Sequence, residues 1–135
     1  MKFNTISIVA ILTLCATYAG FADDKSKRSI EKHSWTLGYR PDQSVVFSKP
    51  AEGKPLKLDC FFPSGHKAGG NNGCIILFFG GGWSGGDTSQ FYGYGKYFAS
   101  RGLVAVSAQY RTNKSHKASP RNCVEDGKAA IRYVR

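Results

Sequence analysis

The nine residues Phe79-Gly80-Gly81-Gly82-Trp83-Ser84-Gly85-Gly86-Asp87 are where this sequence can do chemistry. Glycine fills five of the seven positions from Gly80 to Gly86. A backbone so free of Cβ atoms can adopt conformations closed to other residues. It can turn several N–H groups into one small space. Converging N–H groups hold an anion, either a phosphate or the oxyanion formed when a nucleophile attacks an acyl carbon. The phosphate reading lacks its usual signatures. The loop has no Gly-Lys-Ser/Thr ending and no G-x-G-x-x-G leading promptly into a helix.

Within the loop, Gly82-Trp83-Ser84-Gly85-Gly86 fits G-x-S-x-G, the sharp turn that presents a serine nucleophile. Asp87 and His116 follow, in the order of a Ser, Asp, His triad. That turn, however, needs a helix to begin at the serine, and Gly85, Gly86 and Asp87 intervene before any plausible helix. Asp87 is also too near in sequence to sit at the end of a later strand. Ser84 is a candidate nucleophile on pattern alone, and the spacing favours a loop serine that lines a pocket. His66 lies in a loop and reads as a solvated histidine. Glu125 and Asp126, near a helix start, read as solvated acids that favour the helix dipole. Cys60, Cys74 and Cys123 occupy apolar contexts and read as small core residues. No CxxC pair or His/Cys cluster suggests zinc, and no cofactor is expected.

Several elements must position this loop. Cys74-Ile75-Ile76-Leu77-Phe78-Phe79 is an unbroken apolar run closed by glycines, which predicts a fully buried strand. Val45-Val46-Phe47 and Leu56 to Phe62 predict two earlier strands, joined through Pro50-Ala51-Glu52-Gly53. After the loop, Ser89 could cap a helix from about Gln90, with Phe91, Tyr94 and Phe98 on one face. Gly93 and Gly95 weaken that helix by about 1 kcal/mol each relative to alanine. Gly102 ends it. Val104 to Tyr110 predicts the next strand, and Arg111 to Ser119 a basic loop. Ser119-Pro120 starts a helix with an apolar stripe of Cys123, Val124, Gly127, Ile131 and Val134. Alternating β and α elements argue for parallel strands with right-handed crossovers.

In this order the pieces resemble the α/β-hydrolase superfamily, specifically secreted esterases and lipases of the hormone-sensitive-lipase or feruloyl/acetyl-xylan-esterase type. Gly80-Gly81-Gly82-Trp83 is similar to that family's His-Gly-Gly-Gly-Trp loop, with Phe79 where the family usually has histidine. Tyr97-Phe98-Ala99-Ser100-Arg101-Gly102, the strand ending Gln109-Tyr110-Arg111, and Pro120 to Arg135 follow the same pattern. The resemblance implies an α/β fold, the N-terminal half of an α/β-hydrolase. Antiparallel strands open its sheet, parallel β-α-β units follow, and the sheet is incomplete. It assigns the oxyanion-hole donors to Gly81 and Gly82 and a structural hydrogen-bonding role to Arg111. Phenylalanine at position 79 cannot make the hydrogen bonds by which the family's histidine orders the loop. The family's serine, acid and histidine lie beyond the region seen here, so the triad is not expected in this chain. The implied activity is serine-type hydrolysis of a carboxylic ester. Acetyl or feruloyl groups on polysaccharide are plausible substrates, and a C-terminal half is a possible partner. The isolated chain is expected to be catalytically silent and unstable alone, because half a sheet exposes unpaired strand edges.

The chain has 135 residues and a net charge of +10. Residues 1–22 read as a signal peptide, with Lys2 ahead of the apolar stretch Ile6 to Ala16 and cleavage at Ala19 or Ala22. Residues 23–40 form a polar lead-in, and 41–135 the hydrolase part. An exported protein, periplasmic or extracellular, follows. After cleavage no stable membrane span remains, because the apolar run is too short. The basic residues are scattered, and no nucleic-acid module is recognisable. A competing class keeps the fold without the catalysis: a secreted basic binding module derived from a hydrolase half.

Overall fold

The computed structural model describes residues 38–135. The expected signal peptide and nearly all of the expected polar lead-in therefore lie outside the described residues. Four strands form one sheet: β1 (Gln43–Ser48), β2 (Leu56–Phe61), β3 (Cys74–Phe78) and β4 (Val104–Ala108). Their order is β1-β2-β4-β3. β1 pairs antiparallel with β2, β2 antiparallel with β4, and β3 parallel with β4. A 3₁₀ turn (Thr88–Phe91) leads into helix α1 (Tyr92–Ser100). A single helical turn, α2 (Asn113–His116), follows β4, and α3 (Pro120–Val134) ends the described chain. This is part of an α/β-hydrolase fold, with the antiparallel opening and the parallel β-α-β unit that the sequence implied.

Strand alternation splits the core into two layers. Leu58, Cys60, Cys74, Ile76, Val104, Val106 and Ala108 face α3 and bury against Ala130 and Val134. Phe61, Ile75 and Ala105 face α1 and bury against Ala99. β4 is buried at every position because it lies between β2 and β3 and is covered on both sides. β3 is less enclosed than its apolar run implies, since Leu77 and Phe78 are only half-buried.

Local details differ from the sequence reading, each for a packing reason. Asp87, not Ser89, caps the turn into α1, its carboxylate accepting the Ser89 N–H at 2.9 Å. Gly95 does more than weaken α1. A Cβ there would lie 2.4 Å from Cδ2 of Phe61, so only glycine lets the helix approach this ring. On α3, Val124 is exposed, and the inward position goes to Asp126, which is 4% exposed. The expectation of a solvated Asp126 is therefore corrected. Its carboxylate accepts Arg111 Nε and N–H at 2.8 and 2.9 Å. Glu125 stays at the surface. Ser119 caps α3 as expected, in a capping box with Asn122, whose Oδ1 accepts the Ser119 N–H at 3.0 Å.

Candidate active site

The glycine loop leaves the C-terminal end of β3 and returns to the 3₁₀ turn before α1. Its base is fixed first. Phe79 is 3% exposed and stacks on Tyr110, ring centroids 4.2 Å apart and planes 13° from parallel. The Tyr110 hydroxyl donates to the Phe79 carbonyl at 2.6 Å. Burial pushes the Tyr110 hydroxyl pKa above its ordinary value, which keeps the proton on this donor. The Gly80 N–H donates to Oε1 of Gln90 at 2.7 Å.

The neck of the loop is closed by glycines in close contact. A Cβ on Gly81 (φ 147°) would lie 1.8 Å from the Gly85 carbonyl oxygen. A Cβ on Gly86 (φ 141°) would lie 2.3 Å from Cδ2 of Phe79. No L-side chain fits at either place. Above the neck, the Ser84 N–H closes a turn onto the Gly81 carbonyl at 3.1 Å. The Trp83 and Ser84 carbonyls accept the N–H groups of Asn113 and Lys114, each at 2.9 Å. Trp83 sits at φ 61°, a left-handed conformation rare for a large side chain, and its indole is 52% exposed.

These bonds show which backbone groups are spent. The N–H groups of Gly80 and Ser84 are taken, as are the carbonyls of Phe79, Gly81, Trp83 and Ser84. Among the described residues, no hydrogen bond engages the N–H of Gly81 or Gly82. Both residues are exposed, and a Cβ on Gly82 would meet no atom within 4 Å. The adjacent N–H donors of Gly81 and Gly82, like those of Trp83, Gly85 and Gly86, are thus engaged by no hydrogen bond among the described residues, at the end of a parallel strand. Such a pair can hold an anionic oxygen.

The Ser84, Asp87 and His116 set is not assembled by any hydrogen bond among the described residues. Asp87 is a cap. His116 is 7% exposed, with Nε2 2.8 Å from the Lys54 carbonyl and Nδ1 2.7 Å from Ser115 Oγ. It joins the β1–β2 connection to α2. His66 stacks on Phe62 and bonds to Asn72. The thiols of Cys60, Cys74 and Cys123 are free and buried. Burial pushes Cys60 up to about 11 and Cys74 to about 12, which keeps both as neutral thiols. Among the described residues no group of three or more His, Cys, Asp or Glu side chains could hold a metal ion.

The sequence profile of the BD-FAE family matches residues 58–135, well over half of the chain. The chain belongs to the BD-FAE family. This is an α/β-hydrolase-like esterase family. The BD-FAE match begins in β2 and includes the whole glycine loop, β4 and α3. Solved structures agree. A thermophilic esterase from the Planctomycetes species Thermogutta terrifontis, bound to propionate, is 37% identical with a TM-score of 0.65. That similarity covers 73% of this chain and 35% of that one. The same esterase phosphorylated by paraoxon is 38% identical over 67% of this chain and 35% of that one, again with a TM-score of 0.65. The chain thus spans about a third of the length of these esterases. A comparison with curated proteins finds no match.

Sequence reasoning missed the side chains that hold the loop. Tyr110, Gln90 and the Asn113-Lys114 backbone lie on other elements, and Asp126 secures the segment between them. Tyr110-Arg111 at a strand end was the one visible signal, and it pointed to Arg111 alone.

Proposed function

We propose that these residues form the oxyanion-binding part of a serine carboxylesterase. The N–H groups of Gly81 and Gly82 hold the carbonyl oxygen as it becomes anionic. The observation that carries this reading is the unspent pair of N–H groups, fixed by the hydrogen bonds around them. Each such donor contributes about 3–4 kcal/mol to lowering the barrier. The serine, acid and histidine come from outside the described residues, and Ser84 lines the pocket. A serine outside the loop attacks the acyl carbon, and histidine takes and returns the proton. The 135 residues alone are silent.

The related esterase binds propionate and butyrate and is phosphorylated by paraoxon. These ligands support short-chain acyl esters as substrates and a nucleophile that attacks phosphoryl centres. Acetyl groups on polysaccharide fall in the same acyl class. Export, the expectation from the leader-like residues 1–22, fits a polymeric substrate.

The test is covalent labelling with a fluorophosphonate probe, alongside turnover of p-nitrophenyl acetate. Full-length protein labels and turns over, and Ser84→Ala keeps its covalent labelling. The 135-residue chain does neither. Loss of all labelling in Ser84→Ala would make Ser84 the nucleophile and sink this assignment.

A further inference from the structure

We propose that Tyr110 and Gln90 are positioning residues for the oxyanion donors, acting together through the peptide that joins Phe79 to Gly80. The inference rests on the reading of Gly81 and Gly82 as those donors. A peptide unit is planar and trans, so its carbonyl and N–H point in opposite directions. The Phe79–Gly80 unit is held at both ends by side chains. Its carbonyl accepts the Tyr110 hydroxyl at 2.6 Å, and its N–H donates to Gln90 Oε1 at 2.7 Å. A plane pinned at two opposite edges cannot rotate about the chain axis. The next peptide carries the Gly81 N–H, so its direction is set from this fixed plane.

The Phe79 ring completes the clamp. It stacks on Tyr110 and lies against Gly86, at the far end of the loop. One aromatic ring thus touches the residue that leaves the loop while its own backbone enters it. Histidine at this position would order a loop by its ring nitrogens. Here stacking does that work, and the polar contacts are made by Tyr110 and Gln90. Both bonding partners follow the loop in sequence, from different elements. Gln90 belongs to the 3₁₀ turn after it, and Tyr110 follows β4.

Tyr110→Phe removes the O–H and keeps the stacked ring. Gln90→Leu removes the acceptor, while Gln90→Glu keeps one. The readout is kcat and KM of the full-length esterase on p-nitrophenyl acetate, with Tm alongside. Tyr110→Phe and Gln90→Leu each lower kcat about tenfold, short of the loss of a whole donor. KM stays within about twofold, since a donor used chiefly in the transition state governs kcat. Gln90→Glu retains most of wild-type kcat. The double variant loses less than the product of the singles, because both bonds hold one peptide. Losses that appear only in Tm or KM, or no rescue by Gln90→Glu, overturn the proposal.

Gly82→Ala separates this from the reading beneath it. Its methyl would meet no protein atom within 4 Å, and at φ 58° alanine also strains the backbone that carries the donor. If Gly82→Ala lowers kcat while Tyr110→Phe and Gln90→Leu do not, positioning alone fails. If Gly82→Ala is silent, or the wild-type full-length protein hydrolyses no ester, the oxyanion reading fails and takes this inference with it.

Discussion

Two loops leave neighbouring parallel strands at the same end of the sheet, and they are built on opposite plans. The loop after β4, residues 111–119, is held through its own side chains, to one another and to residues beyond it. Arg111 is locked to Asp126, Thr112 bonds Ser115, and Ser115 bonds His116, which reaches the Lys54 carbonyl. Cys123 sits beneath it, its thiol 3.0 and 3.3 Å from the carbonyls of Arg111 and Ser119, the two ends of the loop. The loop after β3, residues 80–87, has few side chains to hold it. It is gripped from outside by Tyr110, Gln90 and the N–H groups of Asn113 and Lys114. A loop that holds itself spends its own polar groups. A loop held from outside can leave N–H groups over, and those of Gly81 and Gly82 are among them.

The largest effect should come from spoiling the neck of the glycine loop. In Gly81→Ala the new Cβ would fall 1.8 Å from the Gly85 carbonyl oxygen, and neither group is a flexible side chain. The neck must open, and both donors move. On the proposed oxyanion reading, the expected loss in full-length protein is about 100- to 1000-fold in kcat, the cost of one donor. Tm should change far less, because both residues are outside the two core layers. Steady-state kinetics with a thermal melt checks this. Activity within about threefold of wild type would mean that the loop's shape is irrelevant to the chemistry.

Next comes the loop that holds itself. Asp126 is 4% exposed and accepts three groups of Arg111, whose side chain is 25% exposed. Breaking a buried pair from one side costs about 3–5 kcal/mol, and the partial exposure of Arg111 sets the expectation near 3. Urea unfolding of Asp126→Ala measures it. Because Asn113 and Lys114 lie in this segment, activity should fall too, through the carbonyls of Trp83 and Ser84. A stability loss under about 1 kcal/mol would show that the loop does not depend on this pair, and the contrast between the loops would weaken.

The two plans also differ in how far they can be read from the chain. The glycine loop announces itself, because glycine where the backbone crowds has no substitute. β3 and β4 are legible as apolar runs, and α3 as a capped amphipathic stretch. The bonds that hold the loops are not. Tyr110 meets Phe79 across 31 residues, and His116 meets Lys54 across 62, contacts that leave no periodic trace in sequence. Asp126 shows why local rules mislead. An acid near a helix start normally serves the dipole, yet a guanidinium 15 residues earlier draws it inward. Gly95 shows the same limit: helix propensity sees its cost, but the ring of Phe61 that requires it lies on another element.

The smallest effect concerns the three buried thiols, and its sign follows from burial. Burial raises Cys60 from 9.0 to about 11 and Cys74 from 9.0 to about 12, and it raises Cys123 as well. Each group releases its proton more readily when the chain unfolds. The stability they contribute is therefore fully present below the unfolded value near pH 9 and is lost as pH rises through the folded values. Tm measured from pH 7 upward should stay flat to about pH 9 and then fall toward pH 12. Cys123→Ala should flatten only the part due to the self-held loop and cost about 1 kcal/mol, the net worth of a hydrogen bond. Thiol titration with a chromogenic disulfide at pH 8 tests the same contrast without unfolding. If Cys123 reacts in the native state while Cys60 and Cys74 do not, residues 111–119 open on that timescale. The glycine loop would then lean on a moving support. If all three stay unreactive until denaturant is added, the loop after β4 is the rigid frame against which the donors of Gly81 and Gly82 are aimed.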